Sequence, residues 1–87
     1  MAGVAPADFG KLRWRCRRGI KELDVLLTRY ADEQFRDAPE SYQEAFRELL
    51  EGQDSAIYAY CFGQQRPPTP ELSALIERIT AGAAQGR

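Results

Sequence analysis

Charged residues that could take part in binding or catalysis cluster in the segment 14–24, WRCRRGIKELD. Within it, Arg18 and Glu22 are four positions apart, so they would face each other on one continuous helix. Gly19 lies between them, and a glycine inside a helix costs about 1 kcal/mol relative to alanine. The glycine therefore makes more sense at a corner between two helices, where a positive φ or a close backbone approach is needed.

A corner at Gly19 would bring charged side chains from two adjoining helix ends into one mixed-charge patch. Its members would be Arg17, Arg18, Glu22 and Asp24. Both acids would lie in the first turn of the second helix, where the helix dipole favours negative charge. The plainer alternative is that Gly19 only caps the first helix and that Arg18 and Glu22 form a solvated ion pair, which contributes about 0–1 kcal/mol.

The commonest catalytic acid–base residue is missing from the sequence, although lysine and carboxylate bases are present. There is no histidine, which is the commonest acid–base catalyst near neutral pH, so no serine or cysteine has a histidine base to activate it. Cys16 and Cys61 are distant in the sequence and form no metal-ligand pair, and we expect two reduced, partly buried thiols. These observations predict a protein without catalytic activity and without a metal site.

The length of 87 residues predicts a single domain, residues 1–87, with frayed ends at about 1–7 and 81–87. A domain of this size favours a binding surface over a deep ligand cleft, because a cleft removes core. No stretch approaches the roughly 20 apolar residues of a membrane span, and the first residues lack the features of a signal peptide. We expect a cytoplasmic bacterial protein, or one of the mitochondrial matrix only if the source is eukaryotic and a presequence was removed.

Apolar residues recur at helical spacing along the chain, and no segment has the alternation that is typical of a strand. The predicted fold class is therefore all-α, a compact bundle of five short helices. Asp8, Asp54 and Thr69 have side chains of the N-cap type, and Pro39 suits a first helical turn, where its missing N–H costs nothing. The expected helices span about 8–17, 20–35, 39–52, 54–63 and from 69 onward.

The charges are unevenly distributed, although the formal net charge is only -1. Half of the basic residues lie in the segment 11–21, whereas the segment 22–54 is mainly acidic. A basic first segment can indicate nucleic-acid binding. A basic rim that docks on an acidic protein surface fits at least as well, because the only aromatic residue interleaved with these cations is Trp14.

The segment 14–24 resembles the signature of the SdhE/YgfY family of FAD assembly factors, whose hallmark is RGxxE, commonly within RRGxxELD. The hallmark corresponds here to Arg18, Gly19 and Glu22. Two further stretches, ELLEGQD and PPTPEL, are similar to the family's LLE-x-x-D and P-x-x-x-EL patterns. The other matching residues of the segment are Trp14, Cys16, Arg17, Leu23 and Asp24.

The resemblance implies a five-helix domain that binds the flavoprotein subunit of succinate dehydrogenase or fumarate reductase and promotes covalent attachment of FAD to that subunit. We also expect that the chain itself binds no FAD tightly, is a monomer when free, and neither binds nucleic acid nor inserts into a membrane. The lack of a glycine-rich dinucleotide fingerprint agrees with this, because FAD would be gripped mainly by the client. The residues expected at the partner interface are Trp14, Arg17, Arg18, Gly19, Glu22 and Asp24.

The fourth helix departs from the family pattern. After Asp54 the family usually has a second acid and, further on, a tryptophan, where this chain has Ala56 and Tyr60. The role of this helix is therefore open. Two other functions remain open as well: an antitoxin-like or regulatory protein-binding module that uses the same surface, and a small nucleic-acid-binding module that uses the basic first helix.

Overall fold

Five α-helices pack around one apolar core. The computed structural model describes the backbone of residues 6–86 and the side chains of residues 8–81. No strand occurs in these residues, and the radius of gyration of 12.0 Å is that of a compact domain of this length, so the predicted all-α bundle is confirmed. None of the described helices is both long enough and apolar enough to span a bilayer.

The helices are α1 (Pro6–Arg15), α2 (Lys21–Tyr30), α3 (Glu40–Leu50), α4 (Asp54–Cys61) and α5 (Pro70–Gly86). A π-helical turn, Ala31–Phe35, continues α2.

Helix α1 lies slightly earlier in the chain than predicted. It begins at Pro6, which suits a first helical turn because proline has no N–H to satisfy. Asp8 therefore lies inside the first turn, and its predicted N-cap position is wrong. The acid still lies near the positive end of the helix dipole, where it stabilises the helix.

The second helix continues to Phe35 as predicted, but its last turn is π-helical. The buried side chain of Gln43, on α3, bonds to this end: its Nε2 donates to the carbonyl oxygens of Phe35 at 2.8 Å and Arg36 at 3.3 Å. The carbonyl of Phe35 also accepts the backbone N–H of Ala38 at 3.2 Å, so the Gln43 amide adds a further hydrogen bond at this helix end. Periodicity alone did not identify this contact, because a glutamine between apolar positions has the pattern of a surface residue.

The start of α4 differs from the prediction that Asp54 caps it. Gln53 occupies the N-cap position, and its side chain makes no capping hydrogen bond. The Asp54 carboxylate instead accepts a hydrogen bond from Arg18 Nε at 2.8 Å. A guanidinium is a stronger partner for a carboxylate than a neutral backbone amide, so the ion pair replaces the cap.

The remaining helix ends are close to the prediction. Pro39 occupies the N-cap position of α3, just before the first turn. At α5, Thr69 Oγ1 accepts a hydrogen bond from the N–H of Leu72 at 3.1 Å, which confirms that N-cap. Helix α5 extends to Gly86, and the predicted fraying of 81–87 stays a prediction. The other expected frayed end, 1–7, lies largely outside the described residues.

The core is built from the inward faces of all five helices. Helix α5 packs against α2, α3 and α4. Aromatic rings fill the centre, with the centroid of Phe46 4.9 Å from that of Tyr30 and 5.6 Å from that of Phe35. Each such buried side chain stabilises the fold by about 1.5–3 kcal/mol relative to an exposed one. The large side chains that are fully buried are Tyr30, Phe35, Phe46, Leu23, Leu27, Ile57, Leu75 and Ile79.

Both thiols are buried and neither forms a disulfide, as predicted. Burial raises the pKa of Cys16 to about 12 and that of Cys61 to about 11. Because the thiolate is the reactive form, we expect an aromatic disulfide reagent at about pH 8 to modify neither cysteine in the native protein and both in urea. Rapid labelling of either thiol in the native protein would contradict this burial.

Candidate functional site

Helices α1 and α2 meet at a sharp bend formed by residues 14–24, which we call the Gly19 corner. Gly19 has a φ of 90°, in the left-handed region that other residues rarely adopt. It is exposed, and a Cβ built on it would have no atom within 4 Å beyond its chain neighbours. The positive φ confirms the predicted corner, and the open space means that a partner could approach this stretch of backbone closely.

Asp24 holds the corner in shape from the first turn of α2. Its carboxylate accepts hydrogen bonds from the backbone N–H groups of Arg18, at 2.7 Å, and Gly19, at 3.2 Å. The backbone N–H of Asp24 donates to the carbonyl of Ile20 at 2.8 Å and closes the first turn. Two amides that belong to no helix are thereby paired, so Asp24 is a structural part of the corner.

The Arg18 side chain extends from the corner to the junction of α3 and α4, and we call its contacts the Arg18 clamp. Nε donates to the Asp54 carboxylate at 2.8 Å. The two terminal nitrogens donate to the carbonyl oxygens of Arg15, Leu50 and Gly52, at 2.7 to 2.8 Å. These carbonyls lie at the C-terminal ends of α1 and α3, where helices leave acceptors unpaired and the dipole is negative. Only 13% of the Arg18 side chain is exposed, so the clamp is largely internal.

The structure divides the residues predicted at the partner interface into an inner and an outer part. Arg18 and Asp24 are bonded within the chain, and Arg18 pairs with Asp54 rather than with Glu22. The plainer alternative, in which Gly19 only caps the first helix and Arg18 forms a solvated ion pair with Glu22, is therefore wrong about the ion pair. The outer part, which we call the exposed set, consists of Trp14, Arg17, Gly19 and Glu22.

Trp14 is the most exposed large apolar side chain in the described part of the chain, at 72%. The guanidinium carbon of Arg17 lies 5.8 Å from the centroid of its ring, within the range of a cation–π contact. Tryptophan and arginine are the residue types most enriched among interface hot spots. This pair is therefore suited to a protein interface.

A shallow depression of about 480 Å³ lies beside the exposed set, between α1 and α2. Arg17, Asp24 and Val25 line it, and Val25 is 49% exposed. Sequence reasoning did not identify Val25, because one apolar residue on a charged helix face gives no signal. It also missed the pairing of Arg18 with Asp54, because residues 36 positions apart are brought together only by tertiary packing.

One cation of the basic segment is neutralised by a bidentate ion pair. Arg13 donates from Nε and Nη2 to the two carboxylate oxygens of Asp32, at 2.7 and 3.0 Å. The hydrogen bond lowers the pKa of Asp32 and raises that of Arg13. The pair is exposed, so solvent and salt screen it and it adds little to stability. Together with the internal Arg18, it removes two of the cations that nucleic-acid binding would require.

Two clefts of the described residues carry charges that disfavour the pyrophosphate of FAD. The larger cleft, about 510 Å³ between α3, α4 and the start of α5, is rimmed by Glu44, Glu48 and Glu71, which would repel a pyrophosphate. In the depression, three carboxylates offset the cations. No group of three or more His, Cys, Asp or Glu residues in the described part of the chain is placed to hold a metal ion.

Comparison with known proteins gives one consistent result. The sequence model of the Sdh5 family, described as flavinator of succinate dehydrogenase, matches residues 10–83, which include the Gly19 corner and the Arg18 clamp. A Coxiella burnetii protein named FAD assembly factor SdhE is 39% identical over 74 residues, 85% of this chain and 90% of that protein. The protein of the same name from Methylococcus capsulatus is 38% identical over 76 residues, 87% of this chain and 92% of that protein. The one from Shewanella oneidensis is 34% identical over 77 residues, with shares of 88% and 94%.

Proposed function

The chain belongs to the Sdh5 family of flavinators of succinate dehydrogenase, and we propose that it is an FAD assembly factor. In this function it binds the flavoprotein subunit of succinate dehydrogenase and promotes covalent attachment of FAD to that subunit. The observation that carries the proposal is the family match over residues 10–83. A fumarate reductase flavoprotein subunit is included as a second client. The chain acts as a binding protein and catalyses nothing itself.

The exposed set forms the contact with the client in this proposal. Trp14 and Arg17 supply an apolar anchor beside a positive charge, and Glu22 presents a carboxylate from the first turn of α2. Gly19 lets the client backbone come close, because a hydrogen atom stands where other residues have a side chain. Arg18 and Asp24 act indirectly, since their hydrogen bonds hold the backbone of the corner in place for that contact.

The attachment chemistry belongs to the client and its FAD. This chain has no histidine that could carry a flavin, and its clefts do not suit a pyrophosphate. We therefore propose that the free chain binds no FAD tightly. Its contribution is to hold the client in one arrangement, in which the flavin and the side chain that accepts it meet in the orientation for reaction.

The free chain is proposed to be a monomer in the bacterial cytoplasm. The relatives named above are bacterial proteins. The large apolar side chains exposed in the described residues lie on α1, on α2 and just after α4, and they are Trp14, Val25 and Phe62. Obligate homodimers bury larger and more hydrophobic surfaces than these would provide.

Removing side chains of the exposed set should weaken capture of the client. Trp14→Ala and Glu22→Ala are each expected to raise the dissociation constant for the flavoprotein subunit about tenfold, because aromatic anchors and interface charges dominate binding energy. Surface plasmon resonance with the immobilised subunit measures this. Glu77→Ala removes an exposed carboxylate from α5 and should bind like the wild type.

Two outcomes of this binding measurement would contradict different parts of the proposal. If the wild type binds and both Trp14→Ala and Glu22→Ala bind equally well, the contact lies away from the Gly19 corner. A wild-type chain that does not bind the subunit would contradict the proposed function.

A further inference from the structure

The larger cleft, between α3, α4 and the start of α5, has no role in the function proposed so far. It holds about 510 Å³ and is open to solvent. Leu49 and Ile57 are buried beneath it, and half-buried apolar side chains surround them. Two of these, Ala56 and Tyr60, lie on α4. The apolar floor consists of Ala45, Leu49, Ala56, Ile57, Tyr60 and Leu72.

The rim of this cleft is negatively charged, so we call it the acidic cleft. Glu44, Glu48 and Glu71 line it, and none of its lining residues is a cation. Glu44 and Glu48 are four positions apart on α3 and therefore lie on the same edge, where like charges repel each other. All three are exposed, and the ion pairs Arg13–Asp32 and Arg18–Asp54 do not involve them. A cation that entered the rim would relieve this repulsion.

We propose that the acidic cleft is a second docking site for the client, and that it takes a segment in which an apolar side chain lies between lysine or arginine residues. The inference rests on the proposed function. The apolar side chain would cover the floor, and the flanking cations would pair with the carboxylates of the rim. Such charge pairing selects the partner and its approach more than it adds affinity. An acidic segment would be repelled, and a wholly apolar one would leave the carboxylates desolvated.

A second copy of this chain fits the acidic cleft less well, although it also carries a basic segment. That segment, 11–21, lies at the Gly19 corner, and its Arg13 and Arg18 are already held in ion pairs within their own chain. A copy docked through it would cover the surface proposed for the client. The contact would also join two different surfaces head to tail, so it would not close into a dimer and would extend from copy to copy.

The Arg18 clamp connects the acidic cleft to the Gly19 corner. Its terminal nitrogens bond the carbonyls of Leu50 and Gly52, and Gly52 lines the cleft. The two surfaces are therefore fixed relative to each other. A client bound at the corner would present its basic segment to the cleft at a high effective concentration, so two weak contacts would give one tight and oriented complex.

Charge reversal and filling of the cleft test the second site. The double variant Glu44→Lys with Glu48→Lys is expected to bind the succinate dehydrogenase flavoprotein subunit about tenfold more weakly than the wild type. Ala56→Trp fills the floor without changing the charge and should have a similar effect of about tenfold. The matched control is Glu40→Lys with Glu77→Lys, at exposed positions outside the cleft, and it should stay within about twofold because distant surface charges are screened by salt.

Binding is measured by titration calorimetry, after thermal unfolding has shown that each variant is folded. If the wild type binds and both cleft variants bind equally well, the second site is wrong while the proposed function stands. If the control variant binds the subunit as weakly as the cleft variants do, the cause is the change in net charge, and the proposed second site is wrong. If sedimentation equilibrium shows that the free chain self-associates and the cleft variants abolish this, the occupant is a second copy and the inference is wrong. If the wild-type chain does not bind the subunit, both the proposed function and this inference are wrong.

Discussion

Gly19→Val is expected to leave the protein helical and soluble but largely unable to support covalent FAD attachment to the client. Gly19 has a φ of 90°, where a β-carbon costs about 1–2 kcal/mol. A domain with about 5 kcal/mol of stability survives this. The valine side chain would stand in the open space beside the backbone, where a client would approach. It would hold the two backbones apart and remove the contacts of the neighbouring Trp14 and Glu22.

Gly63 offers a matched control for this experiment. It has a φ of 76° and, like Gly19, no atom within 4 Å of a built Cβ, but it follows α4 rather than α1. Circular dichroism on both variants, beside covalent flavin yield in cells that lack their own factor, separates backbone strain from lost contact. We expect Gly63→Val to support attachment and Gly19→Val to fail. A folded Gly19→Val protein that restores full attachment would show that the glycine serves only the turn.

Arg18→Ala is expected to lower the free energy of unfolding by about 2–4 kcal/mol, the largest effect on stability among these substitutions. The change removes the donors for the Asp54 carboxylate and for the helix-end carbonyls of the Arg18 clamp. The clamp is partly exposed, so water can satisfy some of these acceptors, and the cost stays below that of a fully buried ion pair. The loss separates the Gly19 corner from the junction of α3 and α4.

Urea unfolding followed by circular dichroism measures this cost. Arg17→Ala is the matched control, because Arg17 is the exposed neighbour and its removal should change stability by less than about 0.5 kcal/mol. Arg18→Lys keeps the charge but has no planar group to reach several acceptors at once, so its stability should lie between those of the wild type and Arg18→Ala. An Arg18→Ala protein as stable as the Arg17→Ala protein would mean that the clamp contributes nothing.

The Gly19 corner and the all-α fold could be predicted from the sequence because both depend on local properties. Apolar side chains at helical spacing fix which face of each helix is buried. A glycine between two helical segments, where it would weaken a continuous helix, indicates a turn with positive φ, and the turn is found at Gly19. The N-cap at Thr69 was predictable for the same reason, since its hydrogen bond spans three residues.

The hydrogen-bond partners of the long polar side chains could not be predicted in this way. Glu22 and Asp24 are the acids nearest to Arg18 in the sequence. Its side chain nevertheless pairs with Asp54, because the packing of α3 and α4 brings that carboxylate and two carbonyls together. Because Asp54 pairs with Arg18, it does not cap α4 as predicted. Gln43 is buried at the end of the π-helical turn for a comparable reason, since a tertiary hydrogen bond outweighs the polarity of its side chain.

The most direct test of the proposed function is the flavin fluorescence of the succinate dehydrogenase flavoprotein subunit on a denaturing gel, which retains only covalently attached FAD. The subunit is expressed with and without this chain, in cells that lack their own assembly factor. The proposed function predicts a strongly fluorescent subunit band when the chain is present and a weak one when it is absent, at equal amounts of subunit. Equal fluorescence in both samples would contradict it.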